Sequence, residues 1–291
     1  MNVTQPFYTF PAPAKLNLFL HIVGQRADGY HELETLFQFL DYGDSIDIAC
    51  NTSGDINLLT PIAGVENKDN LMIKAAILLQ QYANCRLGAD LKIAKILPMG
   101  GGLGGGSSNA ATVLLALNLL WKLNLPISTL AQLGLTLGAD VPIFIHGYAA
   151  FARGIGENLS AVQPQEYWYL VAKPNVHIST AAVFNDPELP RNTKKITNNS
   201  VDIDSCHNDC ETLVIKRYPE VAKLLTWLIE YAPSRMTGTG ACIFSRFNSK
   251  KEALHIQSKL PRGVESFVAQ GINQSILQVQ LAKITEELIP K

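Results

Sequence analysis

The chain has 291 residues, 47% of them hydrophobic, enough to bury the cores of two domains or one large one. Lys and Arg total 24 against 25 Asp and Glu, a net charge of −1 with the basic residues dispersed, which argues against a dedicated nucleic-acid surface. No apolar run reaches the roughly eighteen residues of a membrane span, no signal peptide opens the chain, and five scattered cysteines (Cys50, Cys85, Cys206, Cys210, Cys242) suit a reducing cytoplasm better than a disulfide framework.

Ala14 to Ile22 is predicted as a strand. Leu16, Leu18 and Leu20 alternate with Lys15, Asn17, Phe19 and His21, so Lys15 and Asn17 share a face. Gly24 to Tyr30 has turn chemistry with Asp28-Gly29 at its tip, and Tyr30 and His31 follow. Phe37–Leu40 and Ser45–Ile48 read as two further strands separated by Asp41-Tyr42-Gly43-Asp44, and Asp55–Leu59 as a short one. Asn70 is placed to cap a helix from Leu71 to Ala83, whose apolar residues recur at helical spacing. Asp90–Leu97, which contains Lys95, alternates as a strand and leads into the most informative stretch of the chain.

That stretch is Pro98-Met99-Gly100-Gly101-Gly102-Leu103-Gly104-Gly105-Gly106-Ser107-Ser108-Asn109, in which six of the first nine residues are glycine. Glycine lets the backbone adopt left-handed angles and approach a ligand closely. Ser107 and Ser108 can cap the helix expected from Ala110 to about Leu123, ahead of Pro126. A glycine loop that feeds the positive end of a helix is a socket for phosphate. It is not a Walker loop, because it contains no lysine, and the dinucleotide reading lacks an acid between Gly106 and Gly138.

A second helix, Ser128–Leu137, is predicted to end at Gly138, and Asp140 then stands before what reads as an apolar strand from Val141. Ala149–Ala152 and Asn158–Val162 form an expected hairpin. The character changes near Gln163-Pro164-Gln165. A strand at Trp168–Ala172 comes next, then a short helix capped by Ser179 or Thr180 and carrying Phe184. Asp209–Tyr231 reads as one amphipathic helix interrupted at Pro219. A second glycine turn, Thr237-Gly238-Thr239-Gly240-Ala241, feeds a strand at Cys242–Phe247. Helix 249–259, strand 265–270 and a helical tail over 274–288 complete the chain. Cys206-His207-Asn208-Asp209-Cys210 has the look of half a metal site, but no second ligand pair with suitable spacing accompanies it.

Three of these segments together resemble the GHMP small-molecule kinases: Pro13-Ala14-Lys15-Leu16-Asn17-Leu18, the glycine loop, and Thr237 to Ala241. Asp28-Gly29-Tyr30-His31, Gly43-Asp44, Gly138-Ala139-Asp140-Val141-Pro142, Phe184 and Asp186-Pro187-Glu188-Leu189 resemble most closely the members whose acceptor carries a cytidine diphosphate. The resemblance implies an α+β, two-domain fold with the active site in the interdomain cleft, divided at about 163/164 into an ATP-binding amino-terminal half and a substrate-side carboxy-terminal half. It implies ATP as phosphoryl donor, with Mg²⁺ expected but no protein ligand for it identifiable. It implies Asp140 as general base and Lys15 as its orienting, neutralising partner. The loop residues from Pro98 to Ser108, with Asn70 and Lys95, would bind ATP. Tyr30 and Phe184 would sandwich the cytosine, His31 would bond its edge, and Asn17 and Thr180 would hold the polar groups of the acceptor. A homoserine- or mevalonate-type kinase, or a nucleotide-binding regulator without catalysis, are the competing readings. The first has no use for the aromatic pair Tyr30 and Phe184, and the presence of both Lys15 and Asp140 speaks against the second.

Overall fold

A computed structural model describes residues 6–196 and 202–288. The chain opens on two long antiparallel strands, β1 (Tyr8–Gln25) and β2 (His31–Asn51), paired along their length. One edge of β2 runs along β1. Its other edge is shared in turn by β5 (Ala150–Gly154), the end of β10 (Glu265–Ile272) and β4 (Gly88–Ala94), with β3 (Ile56–Leu58) outside β4 and β6 (Asn158–Ala161) outside β5. Residues 37–40 and 45–48 are therefore one strand. The intervening Asp41-Tyr42-Gly43-Asp44 looks like a turn locally, but Gly43 and Asp44 pair with Pro13 and Ala12, and the strand continues through a bulge opposite Ala14.

Helix α1 (Leu71–Tyr82) begins where expected. Asn70 Oδ1 accepts from Met72 N, and Met72, Ala75, Ala76 and Leu79 are buried at helical spacing. Helix α2 (Gly105–Leu120) starts earlier than its apolar run suggests and is buried without a break from Ser108 to Leu117. Gly104, in the left-handed conformation, occupies its capping position. Ser107 and Ser108 thus lie inside the first turn and do not cap it. After α3 (Ile127–Leu137), residues 141–146 form a helix, α4 (Val141–His146), where a strand was expected; Pro142 sits in its first turn, where a missing N–H costs nothing.

The second half is built on β7 (Trp168–Lys173), which pairs with β10 and with β9 (Ile243–Phe247), and β9 pairs with the short β8 (Ser234–Met236). Helices α5 (Thr180–Asn185), α6 (Asp209–Arg217), α7 (Pro219–Ile229) and α8 (Lys250–Gln257) pack on it. Pro219 splits the segment read as one helix into two, because proline starts a helix more easily than it continues one. Strand β10 belongs to both halves: 265–270 pair with β7, and 271–272 with β2. Helix α9 (Ile276–Leu288) then buries Leu277 and Ile284 in the amino-terminal core, so the last helix falls on the opposite side of the 163/164 division from the one its sequence position suggests. A third cluster, including Leu16, Phe19, Leu40, Leu97, Leu103, Tyr169, Phe244 and Phe267, fuses the halves. Among the described residues no helix is long and apolar enough to cross a membrane.

Candidate active site

A cavity of about 790 Å³ opens between the halves. Strand β1 supplies its floor. The β1–β2 register shifts between Pro13 and Lys15 and again between Asn17 and Leu20, and such bulges re-aim side chains. Between the two shifts lie Lys15 and Asn17. Lys15 is buried, and an ammonium taken from water needs partners. It has three: Asn17 Oδ1 at 2.5 Å, the Gly102 carbonyl at 3.0 Å and Asp140 Oδ2 at 3.3 Å, one for each N–H. Asn17 is committed in turn. Its Nδ2 donates to Thr35 Oγ1 at 2.9 Å and its backbone N–H to Thr237 Oγ1 at 2.9 Å.

Asp140 occupies the capping position of α4 but makes no capping hydrogen bond. Its carboxylate, 38% exposed, turns to Lys15 and faces the cavity. The turn that carries it lies against the first turn of α2: a Cβ on Gly138 would stand 3.7 Å from Ser107 Oγ.

The glycine loop is held on both sides. A Cβ on Gly102 (φ +75°) would lie 2.2 Å from the Thr237 carbonyl oxygen, and one on Gly104 (φ +72°) would lie 2.7 Å from the Phe144 ring. Ala241 N and Cys242 N donate to the carbonyls of Gly100 and Gly101 at 3.2 and 3.3 Å, and Lys15 N to that of Leu103 at 3.0 Å. The loop is thus pinned between β1 and the second glycine turn, with the first amides of α2 lacking intrahelical acceptors and no side chain capping them. Leu103 points its side chain into the core. Ser108 does not face the cavity; its hydroxyl donates to the Pro13 carbonyl at 2.7 Å, because the helix starts at Gly105 and turns position 108 inward. Ser107 lines the cavity.

Asn70 lines the cavity with its oxygen committed to the α1 cap, which leaves its Nδ2 group for a ligand. Lys95 Nζ bonds Asp44 Oδ2 at 2.5 Å. Asp44, fully buried, also accepts from the backbone N–H groups of Ile96 and Leu97 at 2.8 Å and from Asn109 Nδ2 at 3.2 Å, and so fixes the entry to the loop. Ile62, Val65, Leu71 and Met72 add apolar wall around Asn70.

At the other end of the cavity, Thr180 Oγ1 and Thr239 Oγ1 are 3.0 Å apart. Tyr30 is 58% exposed at the cavity, and the rings of His31 and Phe184 lie 5.1 Å apart, tilted by 32°. Burial, and then the Arg191 guanidinium, hold His31 below its ordinary pKa. Sequence reasoning missed Asp44, Asn208 and Arg191 as parts of this construction. Asn208 caps α6 with its oxygen and donates through Nδ2 to the carbonyls of Met236 and Gly238, both at 2.8 Å, which fixes the second glycine turn. A buried asparagine between distant elements leaves no local pattern, and Arg191 sits in a polar loop. Only Gly43-Asp44, one of the segments that carry the family resemblance, was open to notice.

Cys206 and Cys210 are buried, burial pushing the Cys210 thiol up to about 12. His207 pairs with Asp209 at 2.7 Å, and among the described residues no three metal-ligating side chains converge there or elsewhere.

Two family models match the chain: the GHMP kinases N terminal domain over residues 70–148 and the GHMP kinases C terminal domain over 194–266. A protein of Colwellia psychrerythraea named 4-diphosphocytidyl-2-C-methyl-D-erythritol kinase is 61% identical, with 95% of this chain and 94% of that one aligned. One of the same name from Pasteurella multocida is 56% identical over 96% and 94%. Among solved structures, a 4-(cytidine 5'-diphospho)-2C-methyl-D-erythritol kinase superposes with a TM-score of 0.78 at 28% identity, covering 91% of this chain and 99% of that one. The mevalonate kinase of Methanococcus jannaschii, at TM-score 0.64 and 17% identity over 92% and 99%, shares the fold.

Proposed function

The chain belongs to the GHMP kinases, in their 4-diphosphocytidyl-2-C-methyl-D-erythritol kinase family, and on that premise we propose that it moves the γ-phosphoryl group of ATP to the tertiary C2 hydroxyl of 4-diphosphocytidyl-2-C-methyl-D-erythritol, in non-mevalonate isoprenoid precursor synthesis. It is a small-molecule kinase.

The observation that carries this reading is the meeting of Lys15 and Asp140 at 3.3 Å beside the glycine loop. An aliphatic hydroxyl is a poor nucleophile, so a carboxylate must take its proton as oxygen attacks the γ-phosphorus. In this reading Asp140 takes that proton. The new oxygen–phosphorus bond forms as the bond to the β-phosphate oxygen breaks, and ADP leaves. The Lys15 ammonium, fixed by three acceptors, offsets charge on the transferring group without reorganising. The amides at the start of α2 hold the phosphates in place. Asn17 acts chiefly through Lys15, because its oxygen holds that ammonium.

The side chains here form no cage for Mg²⁺. Among the described residues no three ligating groups converge, and the carboxylates nearest the loop are occupied, Asp44 by Lys95 and backbone N–H groups, Asp140 by Lys15. In this reading the metal would arrive coordinated by the triphosphate of ATP.

Tyr30 and Phe184 suit stacking on a cytosine, a contact that a homoserine or mevalonate kinase would not need. Asp140→Asn is expected to retain ATP binding and lose about two to four orders of magnitude in kcat. Unchanged turnover would remove Asp140 from the chemistry. Cytidine diphosphate should compete with the acceptor, and indifference to it would favour a different acceptor.

A further inference from the structure

Arg191 lies in the polar loop after α5, yet it joins the two walls of the His31–Phe184 end of the cavity. Its Nη2 donates to the carbonyls of Phe184 at 3.0 Å and Asp186 at 2.8 Å, and its Nη1 to that of Leu189 at 3.0 Å. The first two of these carbonyls lie at the carboxyl end of α5, where backbone acceptors lose their helical partners and a cation is favoured. Nε reaches across to His31 Nε2 at 3.0 Å, 160 positions away in the chain.

The chemistry of that last contact is one-sided. Arginine carries donors only, and a neutral imidazole has one donor and one acceptor. The nitrogen facing Arg191 must therefore hold the lone pair, and the ring proton sits on Nδ1. A doubly protonated ring would set N–H against N–H beside a second cation, in keeping with the lowered pKa of His31. His31 lines the cavity, and Nδ1–H is the one side-chain donor this tautomer can give a ligand there.

We propose that Arg191 is the positioning residue of the base-binding end: it fixes His31 as the neutral, Nδ1-protonated tautomer while tying the backbone of Phe184 to it, so that one guanidinium sets both the edge contact and the stacking wall for a cytidine nucleotide. The base-binding part rests on the acceptor reading given above. A donor matches the lone pairs that cytosine presents at O2 and N3, whereas a ring protonated on Nε2 offers an acceptor in its place. Lysine cannot substitute, because its three donors radiate from one atom and cannot span three carbonyls and a ring.

The test uses the full-length protein and its Arg191→Ala and Arg191→Lys variants. Long-range ¹H–¹⁵N spectra of the imidazoles, with His31 assigned through His31→Gln, report the tautomer in the absence of any ligand. The wild type should show His31 protonated on Nδ1, and both variants should shift protonation towards Nε2. The KM for the acceptor and the inhibition constant of cytidine diphosphate should rise about 10- to 100-fold, as for a buried acceptor left without its donor, with kcat and the KM for ATP moving far less. If Arg191→Ala fails to fold, Arg191→Lys carries the measurement. An Nε2-protonated His31 in the wild type, or an acceptor KM within about twofold of wild type in the variant, overturns the proposal. If cytidine diphosphate does not compete in the wild type but the tautomer responds to Arg191 as stated, the acceptor reading fails and the coupling of Arg191 to His31 stands.

Discussion

At the glycine-loop end of the cavity the groups that face a ligand are largely backbone, pinned by other backbone: the loop carbonyls accept from Lys15, Ala241 and Cys242, and Thr237 closes on Gly102. At the His31–Phe184 end they are side chains, Tyr30 is largely exposed, and a single guanidinium gathers three carbonyls and a ring. The first arrangement is costly to alter and indifferent to which residues flank it. The second can be retuned one side chain at a time. A phosphate chain is common to every user of ATP, and a fixed cradle of amides suits it; an acceptor differs from one kinase to the next, and side chains are what can differ with it.

The contrast breaks most severely at Gly102. In Gly102→Ala the new Cβ meets the Thr237 oxygen at 2.2 Å from a backbone angle that alanine resists, so the second glycine turn must move away from Lys15 and Asn17. Displacement of about an ångström at a reacting centre costs on the order of a hundredfold, and we expect that loss in kcat/KM for ATP, with a lower Tm by differential scanning fluorimetry. Wild-type kinetics in this variant would mean the loop is looser than its contacts indicate. Tyr30→Ala should act at the other end only. Loss of one base stack, about 1–3 kcal/mol, raises the acceptor KM roughly 5- to 150-fold and leaves the ATP KM unchanged. Tyr30→Phe should restore it, since stacking needs the ring and not the hydroxyl. Equal damage to both substrates would show that the ends are not independent.

The smallest effect is on stability. Burial lowers the pKa of His21, His31 and His146, and in His31 the Arg191 guanidinium adds to it. Each is harder to protonate folded than unfolded, so as pH falls through about 6.5 the unfolded chain binds protons first and the folded state loses stability; above that pH these groups contribute no change. Urea unfolding at about pH 7.5 and about pH 5.5 should show the acid loss, and His31→Gln should reduce it. An undiminished loss in that variant would place the titration elsewhere.

Much of this was legible without coordinates. The glycine loop, the Asn70 cap, the hairpin of β5 and β6 and the break at Pro219 follow from residues within a few positions of one another, where steric and capping rules act directly. What misled was also local. Asp41 to Asp44 has every mark of a turn, yet the strand continues through it with a bulge, and Asp44 is buried as an anchor for the loop. Val141 to Ile145 is a short apolar run, which strand and buried helix share.

Local chemistry alone thus determined that a glycine loop feeds a helix start and which side chains are candidates around it, because glycine angles, caps and alternation are properties of neighbouring residues. Only tertiary structure decided that Lys15 meets Asp140, that Ser108 turns inward, that the final helix returns to the first core, and that Arg191 faces His31. Those are contacts between distant segments, selected by how two cores and the cluster joining them pack, and no window of sequence contains both partners.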